Sequence, residues 1–158
     1  MDEDFRLSNK WILWYHNPLD TKWTLNSYKV LSNINSIQDF WKVYNFLDNN
    51  IVENSMLFLM KDNVEPLWEH ENNINGGCWS FKISKGNLKN SWEELSVKLT
   101  SETLCKDSNI INGISISPKK TFCIIKIWNN NKNKNKATLL NKVNNLSFDS
   151  CIYKAHNV

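Results

Sequence analysis

Apolar residues fall into short runs separated by polar turns along most of this 158-residue chain. Lys10-Trp11-Ile12-Leu13-Trp14-Tyr15 is an apolar, aromatic run suited to a buried strand, and Asn17-Pro18-Leu19-Asp20 breaks it. Leu25 to Ile34 alternates loosely and predicts a second strand. Ser36 then opens a helix. With Asp39 it has the pattern of a capping box, and Ile37, Phe40, Trp41, Tyr44 and Leu47 follow at helical spacing. Met56 to Met60 predicts a strand, Lys61-Asp62-Asn63 a turn, and Glu65 to Asn75 a loop. Gly76-Gly77 leads into Cys78-Trp79-Ser80-Phe81-Lys82-Ile83, which alternates cleanly as a strand. Ser91 and Glu94 form a second capping box, with Trp92, Leu95 and Leu99 on the buried face of the helix it would open. Ile110 to Ile116 and Phe122 to Trp128 flank Ser117-Pro118-Lys119-Lys120 as a hairpin with a basic tip. Ala137 to Val143 suits a third helix, and Ser150 to His156 a last strand.

Strands outnumber helices and are mostly neighbours in sequence, which predicts an α+β domain: an antiparallel sheet with helices packed on one face. No repeat or linker divides the chain, so residues 1–6 read as a short tail and 7–158 as one domain. A hydrophobic content of 41% supports a soluble core. The longest apolar run, Met56-Leu57-Phe58-Leu59-Met60, is far too short to span a bilayer. Met1-Asp2-Glu3-Asp4 is acidic and no apolar stretch follows, so no secretory signal is expected and a cytoplasmic or nuclear location follows. The four cysteines, Cys78, Cys105, Cys123 and Cys151, lack a C-x-x-C pair, and His16, His70 and His156 do not cluster. No metal, cofactor or catalytic centre is expected from such a set. A net charge of +3 permits an anionic partner without demanding one. The Asn- and Lys-rich stretch Asn129 to Lys136 reads as a solvated polar loop, and the chain's richness in Asn as compositional bias.

The candidate chemistry lies in the tryptophans, of which there are 8. Lys22-Trp23 and Glu65-Pro66-Leu67-Trp68-Glu69 put aromatic faces and a carboxylate on separate loops. Pro66 pre-orders its loop, Trp68 can project a π-face, and Glu69 offers two acceptor oxygens. Two such faces can sandwich a flat cationic ring, at about 0.5–2 kcal/mol per cation–π contact. A methylated guanine has that charge, and its N1–H and 2-amino group match a carboxylate. The same spacing also fits two half-buried packing residues. Lys119 and Lys120 suit phosphates or a solvated turn. Ile37 and Trp41 suit a groove for a partner helix or a cap on the core.

These strings, taken in order, resemble the eukaryotic translation initiation factor 4E family, which binds the 7-methylguanosine cap of messenger RNA. The resemblance runs from about Leu7 to His156. It rests on Lys10-Trp11-Ile12-Leu13-Trp14-Tyr15, Lys22-Trp23, Asp39-Phe40-Trp41-Lys42-Val43-Tyr44-Asn45, Glu65-Pro66-Leu67-Trp68-Glu69, Gly76-Gly77-Cys78-Trp79, Asn112-Gly113 and Ile127-Trp128. It implies a curved antiparallel sheet cupped around the cap, with helices on the convex back. It implies that Trp23 and Trp68 stack on the base, Glu69 reads the guanine edge, Trp128 lies near the added methyl, and Lys119 binds phosphate. Ile37 and Trp41, completed by Val97, Glu94 and Leu7, match the surface that accepts a helix of a scaffold or repressor protein. Trp at both 11 and 23 resembles the translation-competent class.

The chain also departs from the family pattern. Cys78 and Ile124 stand where basic residues usually face the phosphates, so Lys120 or Lys126 is expected to compensate. Glu93 replaces a commonly apolar position on the back, and Arg6 a common Pro. The chain stops soon after His156, where the family continues into a loop beside the first nucleotides, so an open pocket side is expected. The expectation is a monomeric, non-catalytic cap-binding protein that promotes translation initiation through a helical partner. Rival readings are a cap-binding decoy or repressor that recruits no scaffold, a cap-processing or thiol enzyme, and a generic single-strand RNA binder.

Overall fold

In the computed structural model, which describes residues 5–157, the two-residue period of the strands sorts side chains onto two different faces. In β1 (Arg6–His16), Leu7, Trp11, Leu13 and Tyr15 join one hydrophobic cluster, while Trp14 packs with another on the opposite face. β3 (Met56–Lys61) repeats the pattern, with Leu57 and Leu59 on the first face and Phe58 and Met60 on the second. β2 (Tyr28–Ser36), β4 (Gly77–Ser84), β5 (Ile111–Pro118), β6 (Phe122–Asn129) and β7 (Ile152–Ala155) complete an antiparallel sheet of order β2-β1-β3-β5-β6-β4-β7.

The sheet is curved. Its convex face carries the main core, against which α1 (Ile37–Tyr44) and α3 (Lys85–Thr100) bury Phe40, Tyr44, Leu88, Trp92, Leu95 and Leu99. The other face has a smaller cluster of Tyr28, Phe58, Met60, Val64, Cys78 and Trp128. The α+β architecture is therefore the expected one. The first four residues, read above as acidic and without a secretory signal, lie outside the described residues, as does Val158. Arg6, assigned above to the tail, is the first residue of β1. Among the described residues no helix is long and apolar enough to cross a membrane.

Local chemistry explains where elements start. Ser36 caps α1, its Oγ accepting from Asp39 N–H at 3.0 Å, whereas the Asp39 carboxylate accepts from Asn35 N–H and not from the cap residue itself. Leu47 is buried beyond the end of this helix. A short helix, α2 (Asn49–Asn54), was not expected; Asp48 caps it and Val52 alone is buried in it.

The expected start of α3 at Ser91 is wrong. The helix begins at Lys85, because Leu88 extends the buried stripe of Trp92, Leu95 and Leu99 one turn earlier. Ser91 lies inside it and donates to the Asn144 carbonyl at 2.8 Å. The third helix is also wrong: only a 3-10 turn forms at Ala137–Leu139, and Leu140 then bridges to Cys105 in extended form. The second strand starts at Tyr28, after a 3-10 turn at Leu25–Ser27.

α1 and α3 are joined inside the core, where Tyr44 Oη donates to Ser96 Oγ at 2.7 Å and burial raises the pKa of the Tyr44 hydroxyl. Ser96→Ala should therefore cost about 1–3 kcal/mol in urea unfolding, since it strands a buried hydroxyl. Tyr44→Phe with Ser96→Ala should cost less than the sum of the two single changes.

Candidate functional site

The second face of the sheet opens into a cleft of about 520 Å³ that gathers Trp23, Trp68, Glu69, Lys119, Lys126 and Trp128, with Tyr28 and Phe58 among its other walls. Trp23 lies in the loop between β1 and β2. Its indole is stacked on the ring of His16, with centroids 4.0 Å apart and planes 9° from parallel. His16 is fully buried, and its ring nitrogens lie 2.9 Å from the Asn17 carbonyl oxygen and 2.7 Å from that of Lys22. The loop's own backbone thus fixes the plate under Trp23. His16 was not singled out from the sequence; its place at the end of an aromatic strand, beside the Trp23 loop, was the available signal.

Trp68 and Glu69 enter from the loop between β3 and β4. This loop has no ladder to satisfy its carbonyls, and a buried side chain takes that part. Asn73, with no exposed surface, donates from Nδ2 to the Glu65 and Leu67 carbonyls at 3.0 and 2.9 Å. Its Oδ1 accepts from Asn112 Nδ2 at 2.8 Å, and the same amide of Asn112 donates to the Asn72 carbonyl at 2.7 Å. The residues just before Trp68 are therefore tied to β5. Both asparagines escaped the reading of Asn as compositional bias, although Asn112 stood in one of the quoted strings.

Trp23 and Trp68 are 49% and 46% exposed, so each keeps free aromatic surface on the cleft. Glu69 is exposed, and neither ion pair among the described residues, Lys98–Glu94 or Lys134–Asp107, takes its carboxylate. Burial and then the Glu69 charge push the Tyr28 hydroxyl up to about 12, which places that charge near the cleft floor. Trp128 is buried, and its Nε1 donates to Ser115 Oγ at 3.0 Å. Its polar edge is thus occupied, leaving ring surface to line the cleft.

Of the three expected basic residues, Lys119 and Lys126 line the cleft and Lys120 does not. The register pairs Lys126 with Ser115 and Ser80, while Ile124, two residues earlier on the same face, pairs with Ser117 and Lys82. Cys78 is buried, and burial pushes its thiol up to about 12, so it contributes no charge at neutral pH.

On the convex side, Leu7, Ile37, Trp41 and Val97 meet around an apolar depression of about 180 Å³, floored by Phe40. Ile37, Trp41 and Val97 are 46%, 38% and 39% exposed. Glu94 does not line it. Its two carboxylate oxygens accept from Asn144 N–H and Nδ2 at 2.9 Å, and Lys98 Nζ lies 3.5 Å away. Among the described residues no group of His, Cys, Asp and Glu could hold a metal ion.

His156 packs beside Trp128, with ring centroids 5.1 Å apart, and burial followed by the Lys126 charge lowers its pKa from 6.5 to about 4. A lowered native pKa means the unfolded chain takes up the proton first. Stability should therefore be fully present above about pH 6.5 and fall on acidification towards pH 4. Between pH 7 and pH 5, His156→Gln should lose roughly 1 kcal/mol less than the wild type in urea unfolding, allowing for the partial exposure of the ring.

Comparison with known proteins agrees with this fold. A family described as eukaryotic initiation factor 4E matches residues 6–157. The eukaryotic translation initiation factor 4E of Dictyostelium discoideum is 33% identical over 138 residues, covering 84% of this chain and 55% of that protein. The Xenopus laevis protein of the same name is 30% identical over 145 residues, covering 87% of this chain and 68% of that one. The chain thus spans only about half to two thirds of the length of these relatives. Among solved structures, Ascaris suum eIF4E-3 in complex with the m7G cap is similar with a TM-score of 0.75 and 25% identity, over 84% of this chain and 77% of that one. Caenorhabditis elegans eIF4E-3, in complex with the 4E-binding protein Mextli and a cap analog, shares the fold with a TM-score of 0.80 at 22% identity, over 98% of this chain and 94% of that one. With its sheet and nearly all of its length matched in this way, the chain belongs to the eukaryotic initiation factor 4E family.

Proposed function

We propose that the cleft binds the 7-methylguanosine cap of messenger RNA. The observation that carries this reading is the convergence of Trp23, Trp68 and Glu69 on one cleft from two separate loops. The cationic base sits between the two indoles, where stacking and cation–π attraction add. Glu69 accepts hydrogen bonds from N1–H and the 2-amino group, which an unpaired carboxylate can do with both oxygens. Trp128 forms the wall nearest the added methyl. Lys119 and Lys126 neutralise phosphates, with Lys120 close by on the same hairpin. The protein binds and does not transform its ligand, and it works as a monomer in the cytoplasm without a cofactor.

The convex depression takes the apolar face of an amphipathic helix from a translation scaffold or a 4E-binding repressor, with Ile37, Trp41, Val97 and Leu7 as its contacts. Glu94 acts there indirectly, by tying the 144 region to α3. Solved eIF4E-3 complexes with a cap and with a 4E-binding protein support both halves of this reading. Binding at the two faces brings a capped message to the initiation machinery.

Titration with 7-methylguanosine triphosphate should quench tryptophan fluorescence strongly, and unmethylated GTP should do so weakly. Equal quenching by both would instead mark a stacking site that does not read methylation. Glu69→Ala should weaken the methylated ligand by about tenfold or more, because it leaves the base edge unpaired in a drying cleft; a change within about twofold would remove Glu69 from the role. Trp41→Ala should reduce capture of a helical scaffold peptide by about tenfold or more while leaving cap affinity unchanged. If the wild type binds the cap and no helical peptide, the protein is a decoy.

A further inference from the structure

A second cleft of about 320 Å³ opens beside the first and shares Trp68, Lys126 and Trp128 with it. It adds Ser80, Lys154 and His156, and no acidic side chain lines it. The register shows how it is built. Lys126 on β6 pairs with Ser80 on β4, and Cys78 on β4 pairs with Lys154 on β7. The two lysines therefore stand on one face of the sheet, on either side of β4 and offset by two residues along it. At strand spacings of about 4.8 Å and two residues along the strand, their Cα atoms are about 12 Å apart. Their long side chains can converge on one anion between them. Lys154 is exposed at the rim, and β7 is the outermost strand there.

The groups between the lysines do not offset this charge. The Cys78 thiol is pushed up to about 12 and the His156 imidazole down to about 4, so both are neutral at pH 7. What remains is a polar shelf with two cations, one of which already faces the base cleft. A ligand leaving the first cleft by way of Lys126 meets Lys154 next. The hairpin tip offers Lys119 at the edge of the first cleft, but Lys120 lines neither one.

We infer that the phosphate chain of a capped RNA leaves the base cleft across β4 towards β7, held by Lys126 and then by Lys154, with the first nucleotide resting on the shelf beside His156. This rests on the cap reading of the base cleft and names the residues and the direction of its phosphate path. Lys154 is then a binding residue that complements Cys78 and Ile124, two uncharged side chains on the same face.

Three probes separate the base from the phosphates: 7-methylguanosine nucleoside, its 5′-triphosphate, and a 7-methylguanosine-capped dinucleotide. Each is titrated by tryptophan quenching against the full chain and its variants. Lys154→Ala should leave the nucleoside affinity unchanged and weaken the triphosphate and the dinucleotide by about fivefold to tenfold. Lys154→Arg should restore both. Equal losses for the nucleoside and the triphosphate, or no loss in Lys154→Ala, would overturn the path. A triphosphate defect confined to Lys119→Ala or Lys120→Ala would overturn it in favour of the hairpin. Wild-type protein that fails to bind the nucleoside would instead bring down the cap reading, and this inference with it. Thermal melting of Lys154→Ala should match the wild type, since the side chain is exposed.

Discussion

A loop that leaves a sheet and returns beside it buries carbonyls that no strand can satisfy, and here the Asn73 amide meets that demand. It donates to Glu65 and Leu67 on one side and accepts from Asn112 on the other. Two backbone carbonyls, one strand and one loop are thereby held by a single buried side chain. A buried polar network of this kind is costly when half made and stiffening when complete. Everything proposed for Trp68 and Glu69 depends on it, because a stacking face is useful only where its loop holds still. The opposite wall has a similar device, since His16 braces Trp23 from below while its ring nitrogens meet the carbonyls of Asn17 and Lys22. A third buried amide works at the far end of the sheet. Asn129 Oδ1 accepts from Gly77 N–H and Tyr153 Oη, and its Nδ2 donates to the Asn131 and Lys134 carbonyls. It joins β6, β4 and β7 to the polar loop that follows.

The same strands supply both faces with different chemistry. Alternate residues of β1, β3, β4, β5 and β6 build an aliphatic and aromatic core under the helices. The residues between them build an aromatic and polar cup. A one-residue slip in any of these strands would exchange the two sets, so core packing also fixes the register of the cleft face. The proposed helix groove draws on β1, α1 and α3, elements that pack on the reverse of the sheet. The two proposed activities therefore share a scaffold and no side chain.

Much of this was legible in the chain. The aromatic and β-branched runs at residues 10–15, 56–60, 78–83 and 122–128 are strands, and Ser36 caps a helix as its pattern requires. Trp23, Trp68, Glu69, Trp128, Lys119 and Lys126 stand around one cleft, and Leu7, Ile37, Trp41 and Val97 around one groove. What was hidden has physical causes. α2 has six residues and one buried side chain, too few to show a period. Ser91 and Glu94 carry the letters of a capping box but spend their polar atoms on Asn144, a long-range use that local pattern cannot reveal. Ala137 to Val143 has helical composition, yet the chain's pairing with residues 104–106 draws it into extended form. The buried asparagines were hidden by abundance, since one structural Asn looks like any other where Asn is common. Lys154 lay on a short edge strand with no pattern to mark it.

The strand order has a consequence for synthesis. β4 lies between β6 and β7, and β7 spans only residues 152–155. On the ribosome, the outer rim of β4 must wait for a partner emerging some seventy residues later, at about 5–20 residues per second. For those seconds a strand carrying Trp79, Phe81 and Ile83 shows an unpaired edge, the template that promiscuous strand addition needs. Lys82, exposed on that strand, gives the waiting edge a charge. A nascent chain stalled before residue 152 would carry most of the fold and still be adhesive, so premature termination in this short stretch should be harsher for solubility than its four residues suggest.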